Sequence, residues 1–118
     1  MTVREFEALV AQALDGLPET FAKLLNNVEV VVEIWPSRQD LIDGRVTRGT
    51  LFGLYRGIPQ TKRTHYAGAL PDKIIIFAGT LVAAFGHNPD ILKKQVRNTV
   101  LHEIGHHLGM SDEEIRRA

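Results

Sequence analysis

Two histidines four residues apart with a glutamate beside the first, His102, Glu103 and His106, form the set most able to do chemistry in this 118-residue chain. On a helix of 3.6 residues per turn, His102 and His106 lie about 40° apart around the axis and about 6 Å apart along it, so two imidazoles can converge on one cation. Glu103 falls within the same arc of roughly 100°. It can face the ion without ligating it, which is where a general base for a metal-activated water must stand. The chain has no cysteine, which excludes thiolate sites and leaves imidazole and carboxylate as donors. The chemistry this pattern points to is zinc-assisted hydrolysis.

A catalytic zinc usually takes three protein ligands and keeps a fourth position open. Gly109 can adopt the left-handed conformation that turns the chain back after a helix, and Asp112 is the next residue able to ligate. The stretch then reads HExxHxxGxxD, with His102, His106 and Asp112 as candidate metal ligands and Glu103 as candidate catalytic base. Plainer readings stand beside each. The two histidines could be ordinary core or surface residues, with Glu103 paired to a lysine. Asp112 follows Ser111 in a position that the helix dipole favours for any acid, and Glu113 or Glu114 could ligate in its place. His107 sits about 40° around the helix from Glu103 and about 140° from His102, so packing or a backbone hydrogen bond suits it better than a metal. His65 and His87 read as surface or loop residues.

The elements that must position these groups are legible in the same way. Asn88 as N-cap, Pro89 as first helical residue and Gly109 as stop frame a long helix from about Pro89 to Leu108. Leu101, Ile104 and Leu108 on its opposite face predict a helix buried on both sides. Thr2 and Glu5 have capping-box spacing ahead of an amphipathic helix ending near Asp15-Gly16, and Pro18 starts a shorter helix through Phe21, Leu24 and Leu25. Residues 28–35 (VEVVVEIW) and 72–77 (DKIIIF) read as largely buried strands. Glu29 and Glu33 share one face of the first by the two-residue period; they read as a solvated or salt-bridged face rather than an acid/base pair, because charges are rarely buried without partners.

Ser37 to Gly44 predicts one helical turn. Residues 50–56 (TLFGLYR) form a further strand candidate in which Gly53 marks a bulge or a close backbone approach. Residues 60–70 form the longest stretch without a period, carrying Lys62, Arg63, His65 and Tyr66. Thr80 to Phe85 adds a short helix, and Ser111 with Glu114 caps a last one.

The length suits one domain over residues 1–118. Fourteen basic residues balance fourteen acidic ones, so no broad positive field draws the chain to nucleic acid or to a membrane surface. An apolar fraction of 44% with 24% charged residues is that of a globular protein. Glu5 and Glu7 stand where an export signal would need a positive start and an apolar run. No stretch approaches the roughly 20 apolar residues of a membrane span. The expected location is cytoplasmic, the expected partner a peptide or protein substrate, and the composition leaves the oligomeric state open.

Residues 102–112, together with 51–59 (LFGLYRGIP) and 70–77 (LPDKIIIF), resemble the small bacterial zincin-like metallopeptidase family, near-minimal zincins with a metzincin-like motif whose third ligand is aspartate. The resemblance covers about Leu51 to the end and, more loosely, the entire chain. It implies an α+β domain, a mixed sheet of three to four strands packed on N-terminal helices and on the active-site helix, with Zn²⁺ in a shallow cleft beneath a sheet edge. In zincins an extended peptide adds to that edge as an antiparallel strand, and residues 51–56 are the candidate edge here. Larger metzincins carry a Met-turn well after the zinc motif, whereas Met110 lies within it. Arg63, His65 or Tyr66 could supply the oxyanion donor those enzymes take from downstream, although a plain surface loop is the simpler reading.

The leading expectation is therefore a zinc peptidase in which Glu103 takes a proton from the zinc-activated water and passes it to the leaving amine. A zinc-binding module with little turnover, serving stability or partner recognition, is the alternative. A metal-dependent endoribonuclease is disfavoured by Glu103 and by the balanced charge.

Overall fold

The computed structural model describes residues 1–47, 49–57, 71–109 and 113–114. Its first helix, α1 (Val3–Asp15), opens on the expected capping box: Thr2 accepts from the Glu5 amide, and the Glu5 side chain accepts from the Thr2 amide. Phe6, Leu9, Val10 and Ala13 are its buried stripe. Pro18 proves to be the N-cap rather than the first residue of α2 (Glu19–Leu24), which tightens into a 3₁₀ turn over Leu25–Asn27.

Strand β1 (Val28–Glu33) follows directly. It stops two residues before Trp35 because the Ile34 carbonyl leaves the ladder to accept from the Gly79 amide at 2.7 Å. Glu29 and Glu33 are exposed, as a solvated strand face requires. Helix α3 (Arg38–Asp43) has a second capping box, between Ser37 and Asp40. Then come β2 (Gly53–Arg56), β3 (Asp72–Phe77), α4 (Ala78–Phe85) and the long α5 (Pro89–His107).

The sheet order is β1-β3-β2. β3 lies in the middle, parallel to β1 and antiparallel to β2, with Val28 opposite Asp72 on one side and Gly53 opposite Ile76 on the other. Its run of isoleucines suits a strand covered on both faces. Ile74 and Ile76 join Phe6, Leu81, Leu92, Val96 and Val100 in the main core, while Ile75 and Phe77 pack with Leu54, Val31 and Leu51 on the other face. The architecture is α+β, a three-stranded mixed sheet among the described residues, held against α1 and α5.

Asn88 caps α5 as its position predicts, accepting from the Asp90 and Ile91 amides, and Gly109 takes φ +79° at its end. Two expectations for this helix fail. Leu108 is its C-cap and is 52% exposed, so it does not anchor the helix from behind as buried Leu101 and Ile104 do. Nor is the helix buried on both sides: His102 and His106 are exposed. The face they occupy continues through Asn98 and Lys94, so it offers no apolar side chain to drive burial.

Candidate functional site

The site forms where α5 passes β2. That approach depends on Gly53: a Cβ there would sit 2.6 Å from Thr99 Cγ2 and 3.0 Å from the Ile75 carbonyl, so a side chain at this position would force the strand and helix apart. The expected close backbone approach is thus between strand and helix. Leu51 and Phe52, which lead into β2, are fixed from behind. Thr80 Oγ1 donates to the Leu51 carbonyl at 2.7 Å, and the Phe77 amide donates to the Phe52 carbonyl at 2.9 Å.

With the two elements this close, Glu103 reaches the strand. The Tyr55 amide donates to Glu103 Oε1 at 2.9 Å. Burial pushes the Glu103 carboxyl above the ordinary glutamate value; the Tyr55 hydrogen bond and the charges of His102 and His106 pull the other way and do not cancel it. His102 and His106 stand on the adjoining exposed face, ring centroids 4.2 Å apart and planes at 62°. His107 stacks on the Tyr55 ring at 3.9 Å, planes 14° apart, the packing role its place on the helix predicts. The Tyr55 hydroxyl in turn donates to Asp72 Oδ2 at 2.7 Å. One tyrosine therefore grips the general-base candidate, the following turn of the helix and the start of β3.

A cleft of about 360 Å³ opens beside these groups, with residues 50–53 on one wall and Gln95, Asn98, Thr99, His102 and Glu103 on the other. Asp112, Arg63, His65 and Tyr66 lie outside the described residues. Among the described residues no three His, Asp or Glu side chains gather as a complete metal-binding group. Glu113 and Glu114 are helical and exposed, and His87 is an exposed turn residue. Residue types had not pointed to Tyr55 as part of the site. Its contribution is largely a backbone amide, and an amide leaves no mark in a sequence; only its place two residues from Gly53 on the candidate edge strand could have hinted at it.

A family model described as zincin-like metallopeptidase matches residues 25–118. The chain belongs to that family. The match begins well ahead of Leu51 and takes in all three strands of the zincin-like sheet as well as α5. No curated protein matches the chain. Membership implies zinc binding, and the donor chemistry fits two of the ligands it needs: the His102 and His106 imidazoles stand together on an exposed face, with no competing thiol in the chain. No helix among the described residues is long and apolar enough to cross a membrane.

Proposed function

We infer that the protein is a zinc-dependent peptidase in which His102, His106 and Asp112 hold the metal and Glu103 is the general base. The observation that carries this reading is the position of Glu103: partly buried at the cleft, beside the histidine pair, with one carboxylate oxygen fixed by the Tyr55 amide. Zinc, when bound, supplies the positive charge that polarises a scissile carbonyl and acidifies a water.

Glu103 accepts the proton of the attacking water on its carboxylate and delivers it to the leaving amine. Burial favours the neutral carboxyl and so works toward taking up that proton, while the charge of a bound metal would work against it. The Tyr55 amide holds the carboxylate in place, so the proton acceptor is positioned before substrate arrives.

The sheet supplies the substrate's track. Because the Phe77 amide bonds the Phe52 carbonyl and Leu54 faces Ile75, the alternation of an antiparallel ladder turns the Gly53 peptide groups away from β3. Among the described residues β2 is the outer strand on that side, so an extended peptide laid along it would pair with Gly53 and lie over the cleft.

The test is Glu103→Gln. The variant should bind zinc as the wild type does and lose about 10²–10⁴-fold in cleavage of a proteome-derived peptide library, the range a general base supplies. Unchanged turnover would remove Glu103 from the mechanism. A wild-type protein that holds zinc and cuts nothing would instead be a zinc-binding module.

A further inference from the structure

The cleft does not end at the histidines. Its helix wall runs from Glu103 and His102 back through Thr99 and Asn98 to Gln95, toward the N-terminal half of α5. Asn98 also lines a second concavity, of about 490 Å³, between that half of α5 and the end of α1. This second space is bordered by Lys93, Lys94 and Arg97, with Gln12 across from them on α1 and Asp90 the one acid on its lining among the described residues. All three cations are exposed, and no carboxylate among the described residues forms an ion pair with them. Lys94, Asn98, His102 and His106 follow one another at intervals of four along the helix, so they make one continuous row. The basic groove lies on the α1 side of the helix and adjoins the cleft at Asn98, with Lys94 the cation that continues the histidine row.

Resting on the peptidase reading, we propose that this groove selects the substrate: the protein prefers extended peptides bearing aspartate or glutamate on one side of the cleaved bond. Lys94 is eight residues before His102, which is about 12 Å along a helix, or roughly four residues of extended peptide. Acidic side chains about three to five positions from the bond would then meet Lys94, while Arg97 and Lys93, turned about 140° and 180° around the helix from His102, add field and Asp90 reduces it. Asn98, at the junction, is placed to hydrogen-bond the passing backbone through its amide. The other side of the bond points away from this groove and carries no such preference.

The experiment profiles the zinc-loaded protein on a proteome-derived peptide library, alongside the variant Lys93→Glu/Lys94→Glu/Arg97→Glu. Enrichment of acids on one side of the cut, replaced in the variant by lysine and arginine, is the expected result. Cleavage without that enrichment, or with enrichment that survives charge reversal, overturns the groove assignment and leaves the peptidase reading intact.

A binding measurement keeps the two readings separable. Zinc-loaded Glu103→Gln protein should bind a peptide carrying glutamates at that spacing about fivefold more tightly than its glutamine counterpart in dilute buffer, with the difference shrinking in about 0.5 M salt. If the wild type cuts nothing but this preference holds and vanishes on charge reversal, the peptidase reading fails and the groove stands. Equal binding of the two peptides overturns the groove.

Discussion

Glu103 occupies a costly position in the metal-free protein. Its carboxylate is partly buried, the Tyr55 amide gives it one hydrogen bond, and burial still outweighs that bond in shifting its pKa. A glutamine can keep the same bond through its carbonyl oxygen and removes the charge that burial penalises. Metal-free Glu103→Gln should therefore melt higher than metal-free wild type at neutral pH, which calorimetry can check; an equal or lower Tm would mean that burial costs this carboxylate nothing. Gly53 is the converse case. Gly53→Ala places a methyl group against Thr99 and the Ile75 carbonyl, and the overpacking should cost about 1–3 kcal/mol in denaturant unfolding. It should also lower activity, because the strand that carries the Tyr55 amide has to move away from Glu103. Of these residues the histidine pair and Glu103 were readable from spacing alone, since a helix forces i and i+4 onto one side. The partner of Glu103 was not readable, because it is a main-chain group from a strand 48 residues away.

At the scale of elements, the long helix, the first helix and the central strand were legible because each carries its own boundary chemistry. Asn88 and Pro89 begin α5, Thr2 and Glu5 begin α1, and Pro71 precedes β3. The edge strands were less so. β1 ends early, where the Ile34 carbonyl turns to α4, and β2 is regular only from Gly53, with the Leu51 carbonyl ahead of it bonded to Thr80 Oγ1. Both are tertiary hydrogen bonds that no local pattern encodes. β2 is also tied to α3 by Arg56, whose two terminal nitrogens meet Asp40 Oδ1 and Asp43 Oδ2 at 2.6 Å each. Burial alone would raise the Asp40 carboxyl, but the bonds from Arg56 and from Ser37 together hold it below the ordinary aspartate value; Arg56 and Gln39 do the same for Asp43. A lowered folded pKa stabilises the protein above the unfolded value and loses that contribution as pH falls through the folded one. Acid titration from about pH 4 downward should therefore weaken the wild type more steeply than Arg56→Met. At neutral pH the same variant should lose about 1–2 kcal/mol, because the nearly buried Asp40 keeps only its Ser37 partners.

For the molecule as a whole, the consequence of the proposed site is that zinc couples the sheet-and-helix body to the stretch beyond Gly109. Two of the proposed ligands belong to α5, which is anchored by Leu92, Val96, Val100 and Ile104 in the main core. The third, Asp112, lies past the left-handed turn at Gly109. An ion that binds only the folded arrangement stabilises it by about 2.7 kcal/mol when free metal is a hundredfold above Kd. For a chain of this length that corresponds to a rise in Tm of roughly 10 °C. Chelation should reverse the rise. His102→Ala should abolish it, and Asp112→Ala should shrink it, since two imidazoles on one helix remain a weaker site than three ligands. Glu103→Gln should retain it in full, because that side chain is assigned to the proton and not to the metal. A zinc response that persists in Asp112→Ala at full size would move the third ligand elsewhere, with Glu113 and Glu114 the next variants to measure, while one lost in Glu103→Gln would make Glu103 a ligand and leave the proposed peptidase without its base.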